Sequence, residues 1–246
     1  MGYHESLTEG RNAVLEAFRS GKTVDRLFVL DGCQDGPVKT ILREAKKQDT
    51  MVQYVKKERL DQLSETKNHQ GVIAYCAACE YAEVSDILEN AKKKGEAPFI
   101  VLLDGIEDPH NLGAIIRTAN QAGAHGVIIP KRRAVGLTAT VARTSAGAVN
   151  YTPVAKVTNL VTVMEDLKKE GMWFVCADMD GEEMYSLNLK GPIGLVIGNE
   201  GEGVSRLVKE HCDMVAYIPM KGDIDSLNAS VAMGVLAYEI VRQRRF

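Results

Sequence analysis

Three short segments combine residue types and spacings that could do chemistry: Asn111-Leu112-Gly113-Ala114-Ile115-Ile116-Arg117, Gly198-Asn199-Glu200-Gly201-Glu202-Gly203 and Ser226-Leu227-Asn228. In the first, Asp108-Pro109 closes a turn into a helix start, and Arg117 is expected on or near the Asn111 face about a turn and a half further along. A guanidinium there either grips an anion or is merely solvated. In the second, three glycines let the backbone approach a ligand and expose its amides. This loop lacks the Gly-Lys-Ser/Thr continuation of a P-loop and the standard dinucleotide fingerprint. Glu200 and Glu202 would repel a phosphate, so the loop suits a ligand that is neutral or cationic nearby, unless it is only a turn. In the third, Asp225 or Ser226 is the expected N-cap of an apolar helix. Asn228 is expected at a buried helix start beside Leu227, Val231 and Leu236, where its amide needs a partner.

Strands must hold these loops. Phe99–Leu103, Gly126–Ile129, Trp173–Ala177, Gly194–Ile197 and Val215–Ile218 read as strands. Leu112–Ala122, Val157–Lys169, Ser205–Glu210 and Leu227–Arg242 read as helices among and after them. Alternation of this kind implies an α/β domain with a mostly parallel sheet covered on both faces, whose ligands sit beyond the carboxyl ends of the strands. The first 80 residues form a smaller α/β unit: helix Gly10–Ser20, strand Arg26–Leu30, helix Val38–Lys47, strand Val52–Val55 and an alternating run at Val72–Ala77. Residues 81–97 become charged, with Lys92-Lys93-Lys94-Gly95-Glu96 before Pro98, and are expected to be a linker. The expected division is therefore 1–80, 81–97 and 98–246.

Bulk properties narrow the classes. With 246 residues, 45% hydrophobic and 26% charged, the chain can build a core without staples. No run approaches the roughly 18 apolar residues of a membrane span, and Met1–Gly10 shows no leader pattern, so a cytoplasmic protein is expected. The five cysteines are scattered and odd in number, which fits reduced thiols. Cys76-Ala77-Ala78-Cys79 lacks a second ligand pair and reads as strand, so no metal site is expected. A net charge of −3 argues against holding nucleic acid by charge alone. Lys131, Arg132, Arg133 and Arg143, and Arg242, Arg244 and Arg245, could still meet phosphates or form solvated faces.

Taken together and in this order, the Asn-Leu-Gly…Arg, Gly-Asn-Glu-Gly-Glu-Gly and Ser-Leu-Asn-Ala-Ser segments resemble the motifs of the SpoU/TrmH family of SPOUT methyltransferases over residues 98–246. Glu9–Ala17 and His69-Gln70-Gly71-Val72 are similar to the family's small RNA-binding domain, which is like ribosomal protein L30e. The resemblance implies a deep trefoil knot in the carboxyl-terminal domain, a homodimer formed through that domain, and S-adenosyl-L-methionine, whose sulfonium suits the acidic loop. It assigns cofactor contacts to Gly198, Asn199, Gly203, Ile218, Met220 and Leu227, and the chemistry to Asn111, Arg117, Glu200, Ser226 and Asn228.

The implied reaction is in-line transfer of the sulfonium methyl to a ribose 2'-oxygen of RNA, without a metal. Arg117 would engage the target phosphate and 2'-hydroxyl; with a pKa above about 12 it is a poor base, so it orients while phosphate or water assists proton loss. Glu200 would orient Arg117 or the Asn111 amide, and Ser226 and Asn228 would hold the cofactor loop and ribose. Arg11, Asn12, His69, Gln70 and Arg143 are the expected RNA contacts, although Arg11 and Asn12 could merely cap a helix. The two-domain layout most resembles members acting on a guanosine of 23S rRNA. Guanosine 18 of tRNA and an rRNA adenosine are the other substrates in view. A non-catalytic RNA-binding protein would have lost the catalytic positions, and a dehydrogenase would carry its Gly-rich turn after the first strand.

Overall fold

The structure, a computed structural model, describes residues 6–223 and 226–245. The chain divides into two units, Met1–Glu80 with Gly136–Thr140, and Tyr81–Val135 with Val141–Phe246.

The first unit runs β1 (Ser6–Glu9), α1 (Arg11–Arg19), β2 (Val24–Leu30), α2 (Gly36–Lys47), β3 (Met51–Val55), α3 (Lys57–Leu63) and β4 (Val72–Cys76). Its sheet has the order β1-β4-β2-β3, with β2 and β3 parallel and the other pairs antiparallel. Val14, Leu27, Val29, Ile41 and Val72 form its core. The helix α2 starts where Asp35 accepts the Val38 N–H at 3.2 Å, a side-chain cap for an otherwise orphan donor. The pattern of the sequence does not reveal β1 and α3, because α3 buries only Leu60 and β1 is four residues long. Glu9, at the end of β1, accepts hydrogen bonds from the Ser64 and Thr66 hydroxyls and the Glu65 and Thr66 amides. Burial raises its pKa, but these donors outweigh burial and leave it below the ordinary carboxylate value.

The second unit runs α4 (Val84–Lys94), β5 (Phe99–Asp104), α5 (Pro109–Gln121), β6 (Gly126–Pro130), α6 (Ala139–Thr144, whose first residues belong to the first unit), β7 (Val154–Val157), α7 (Leu160–Lys169), β8 (Trp173–Glu183), β9 (Ile193–Gly198), α8 (Arg206–Glu210), β10 (Met214–Tyr217) and α9 (Ala229–Arg245). The sheet order is β10-β8-β9-β5-β6-β7, and all its described pairs are parallel. Every residue of β5 and β9 is buried, as helices on both faces require. The chain steps outward through β6 and β7, then returns to lay β8 and β9 on the other side of β5. The carboxyl ends of β5 and β9 therefore lie side by side where the direction of winding reverses, the place where open α/β sheets bind ligands.

Several expected boundaries move. Residues 81–97, expected as a linker, hold α4, whose Ile87 is fully buried in a core cluster with Ile100, Leu102 and Phe174. Val157 ends a strand instead of starting a helix, because Asn159 caps α7 by accepting from Val161 N–H at 2.9 Å and Thr162 N–H at 3.3 Å. The strand β8 continues past Ala177 to Glu183 through polar residues that a hydrophobic pattern cannot show. All five cysteines are free, and burial pushes the Cys79 thiol up, away from the reactive thiolate. Among the described residues, no helix is long and apolar enough to cross a membrane.

Candidate active site

The loops that follow β5, β9 and β10 meet at the carboxyl edge of the second sheet. Asp104 closes β5 and, only 8% exposed, accepts the Ser205 N–H at 2.8 Å, which ties the end of β5 to the glycine loop after β9. Asp104 is not among the residues expected from the motifs, although a carboxylate ending the apolar run Phe99–Leu103 is a sequence signal for a buried acceptor. The glycine loop folds back on itself. The Asn199 side chain accepts from Gly201 N–H at 2.9 Å and Glu202 N–H at 2.6 Å, and the Asn199 carbonyl accepts from Gly203 N–H at 3.1 Å. A Cβ on Gly198 would lie 2.0 Å from the Gly203 carbonyl carbon, so no side chain fits there. Gly203 itself has φ +67°, the left-handed region.

Asp108 caps α5 by accepting the His110 N–H at 2.9 Å, and this start presents Asn111 to the loops. Asn111 is 7% exposed. Its Nδ2 donates to Glu200 Oε1, and its Oδ1 accepts from Asn228 Nδ2 at 3.0 Å. Asn228 Nδ2 also donates to Glu200 Oε1 at 2.9 Å. Three segments distant in sequence thus close one polar triangle: a carboxylate held by two neutral amides, with no cation among its described hydrogen bonds.

Asn228 has a second task. The helix α9 begins at Ala229, not Leu227, and Asn228 Oδ1 accepts from Ser230 N–H at 3.0 Å and Ser230 Oγ at 2.6 Å. The capping role expected of Asp225 or Ser226 therefore falls to Asn228, and Asp225 lies outside the described residues. Asn228 is also exposed instead of buried, and its amide is partnered because Asn111 and Glu200 reach it. Arg117 departs further from expectation. It is exposed on α5 while Asn111 is buried, because six residues at about 100° each leave the two side chains about 120° apart around the helix. No hydrogen bond joins Arg117 to Glu200 among the described residues; Glu200 accepts from the two amides instead.

A cavity of about 280 Å³ opens beside the triangle, lined by the loop from Gly198 to Gly203, by Ile218, Met220, Ser226 and Leu227, and by Ala177, Asp178 and Met179 of β8. This is close to the lower bound, about 300 Å³, of common small-molecule pockets. All six residues expected to touch the cofactor line it. So do Glu200 and Ser226, whereas Asn111, Asn228 and Arg117 do not. Arg143 is exposed in the last turn of α6.

In the first unit, Arg11 and the His69-Gln70-Gly71 turn come together. Arg11 N–H donates to Gln70 Oε1 and Arg11 Nε to the Gln70 carbonyl, both at 3.1 Å, and the guanidinium pairs with Asp35 at 2.5 Å. His69 is buried, with Nδ1 accepting the Gly71 N–H at 3.0 Å and Nε2 set 3.0 Å from Asp61. The cap of α1 is Gly10, with no side-chain bond, so neither Arg11 nor Asn12 performs that role; Asn12 is exposed.

The sequence pattern of the SpoU rRNA methylase family matches residues 98–238. The chain belongs to this family. The pattern for RNA 2'-O ribose methyltransferase substrate binding matches residues 7–82. YacO of Bacillus subtilis, named for the TrmH family of tRNA/rRNA methyltransferases, is 49% identical over 96% of the chain and 94% of its own length. Among solved structures, the SpoU methyltransferase AviRb from Streptomyces viridochromogenes, in complex with AdoMet, superposes with a TM-score of 0.62 at 27% identity, covering 98% of this chain and 91% of AviRb. An AdoMet-bound rRNA methyltransferase from Sinorhizobium meliloti superposes at 0.60 with 25% identity, covering 96% of this chain and 86% of its own.

Proposed function

We propose that this chain is an RNA ribose 2'-O-methyltransferase that uses S-adenosylmethionine and acts on a guanosine of 23S rRNA, as the RlmB type does. The observation that carries the reading is the Asn111–Glu200–Asn228 triangle at the rim of a cavity walled by glycine-loop backbone. The residues present suit the cofactor: backbone groups and apolar side chains for its neutral parts, and an acidic loop for its positive centre. S-adenosylmethionine supplies an activated methyl on sulfur whose leaving group is neutral, so the protein's task is alignment.

In this reading Glu200, whose described partners are amides, attracts the sulfonium while Asn111 and Asn228 fix its direction. Arg117, exposed and off the triangle, engages the phosphate of the incoming RNA and orients the ribose 2'-hydroxyl, whose proton leaves to phosphate or water. The first unit selects the RNA through its exposed groups near Asn12 and Gln70. The name of the S. meliloti relative, which matches along nearly the whole chain, favours rRNA. A homodimer through the second unit is part of the proposal. Val231 and Tyr238, each 50% exposed and seven residues apart on α9, offer an apolar stripe for it.

The test is to map 2'-O-methyl sites on 23S rRNA and tRNA treated with and without the protein. A new mark on one 23S guanosine is the expected result. A mark on tRNA guanosine 18 alone would replace the rRNA assignment, and a single rRNA adenosine would replace the base.

A further inference from the structure

One part of the cavity wall comes from a stretch of β8 to which neither the family motifs nor the cluster above assigns a role. The strand pairs with β10 in two stretches, Val175 and Cys176 with Met214 and Val215, then Glu182 and Glu183 with Ala216 and Tyr217. Residues 177–181 therefore form a bulged loop within β8, between partners that are consecutive on β10. The loop is closed tightly: a Cβ on Gly181 would lie 2.4 Å from the Val215 carbonyl oxygen. It is also clasped from α8, where Lys209 Nζ lies 2.8 Å from Asp178 Oδ2 and 3.5 Å from Asp180 Oδ2. Asp178 and Met179 are carried into the cavity lining by this loop.

Two of the cavity's carboxylates, Glu200 and Asp178, differ in the partners that surround them. Among the described residues, Glu200 has amide partners and no cationic one. Asp178 is compensated by Lys209, and its Oδ1 accepts the Asp180 N–H at 3.2 Å. A carboxylate has about four acceptor positions, and Lys209, the Asp180 N–H and the Met179 N–H take three, so Asp178 keeps one for a ligand. A compensated acid attracts a cation weakly, yet it still accepts hydrogen bonds from neutral hydroxyls. Asp178 also stands just beyond Cys176, the last residue of β8 paired with β9, where α/β nucleotide sites place the acid that holds a ribose.

We propose that Asp178, held in place by Lys209, accepts a hydrogen bond from a ribose hydroxyl of S-adenosylmethionine. This rests on the cavity's being the cofactor site. Asp178 is then a binding residue and Lys209 a positioning residue, and neither takes part in methyl transfer.

Calorimetry on the full chain without RNA tests it, using S-adenosylmethionine, S-adenosylhomocysteine, and the 2'-deoxyadenosyl and 3'-deoxyadenosyl analogues of S-adenosylhomocysteine. For the unaltered protein, at least one deoxy analogue binds roughly 10- to 100-fold more weakly than S-adenosylhomocysteine, the effect of one lost hydrogen bond to a charged group. Asp178→Ala weakens S-adenosylmethionine and S-adenosylhomocysteine by the same factor, and leaves that deoxy analogue unchanged. Lys209→Met reduces the ratio between parent and analogue, which a general loss of stability would not do. Equal binding of both analogues and the parent to the unaltered protein overturns the proposal whether or not the variants fold. Loss confined to S-adenosylmethionine also overturns it, by making Asp178 a partner of the sulfonium. Failure of the unaltered protein to bind either cofactor form overturns the function proposed above as well.

Discussion

The two units each gather a polar cluster from segments far apart in sequence, and the clusters are built on opposite principles. In the second unit, Asn111 and Asn228 give the Glu200 carboxylate neutral donors and, among its described hydrogen bonds, no cation. In the first, Arg11 is matched by Asp35 and Gln70, and His69 bonds to Asp61 and the Gly71 amide, so these polar groups are satisfied internally. The difference sets the cluster of the proposed active site apart from a turn braced by its own ion pair. The Gln70 turn is thus held by Arg11, whose guanidinium is in turn held by Asp35.

The contrast breaks most visibly at Asn228. Asn228→Asp keeps the oxygen that caps α9 but sets a second carboxylate against Glu200. Methylation measured in single turnover is expected to fall by roughly 100-fold or more, while the melting temperature moves by only a few degrees. Equal collapse of both would make the triangle a structural element like that of the first unit.

Arg117→Lys comes next. It preserves charge but loses the planar fork, so kcat/KM for RNA is expected to drop roughly 10- to 100-fold with cofactor affinity intact. Near-normal turnover and RNA affinity would remove Arg117 from the alignment of the nucleophile.

A buried polar group of the second unit that lies outside the site should answer through stability alone. His125 is fully buried, with Nδ1 accepting the Phe99 N–H at 3.0 Å. Burial, then the nearby Lys94, depress its pKa below the ordinary 6.5, against a smaller opposing effect of Glu96. The unfolded chain therefore takes up this proton first, and the stability His125 contributes is present above the unfolded value and lost as pH falls below it. A melting series from about pH 7 down to about pH 5.5 should show the decline, and His125→Asn should flatten it. A series in which the variant declines as steeply assigns the acid sensitivity to other groups.

The smallest effect belongs to the first unit. The Arg11 and Asp35 side chains are 33% and 41% exposed, so a double-mutant cycle is expected to give at most about 1 kcal/mol. A large loss of RNA affinity in Arg11→Ala, with that coupling energy unchanged, would make Arg11 a direct RNA contact and narrow the contrast between the units.

Much of this was legible before any folding. The uninterrupted apolar runs of β5 and β9 announce buried parallel strands, because only a strand covered on both faces has no use for a polar side. Gly198 and Gly203 announce a close backbone approach for a similarly local reason. Residue types in the three motif segments likewise suffice to name the family. What the chain's order alone could not decide was partnership. Asn228 could be assigned a need for a partner, but not Asn111 and Glu200 as the partners, since hydrogen bonds across 117 and 28 positions exist only once β5, β9 and β10 lie in register. The same limit hid Asp104, whose acceptor role depends on Ser205, and Asp178, whose strand continues through polar residues that no period of two reveals. Local physics fixes which residues are inside and where backbones bend; which charges remain uncompensated is decided by the tertiary structure, because compensation depends on distance in space.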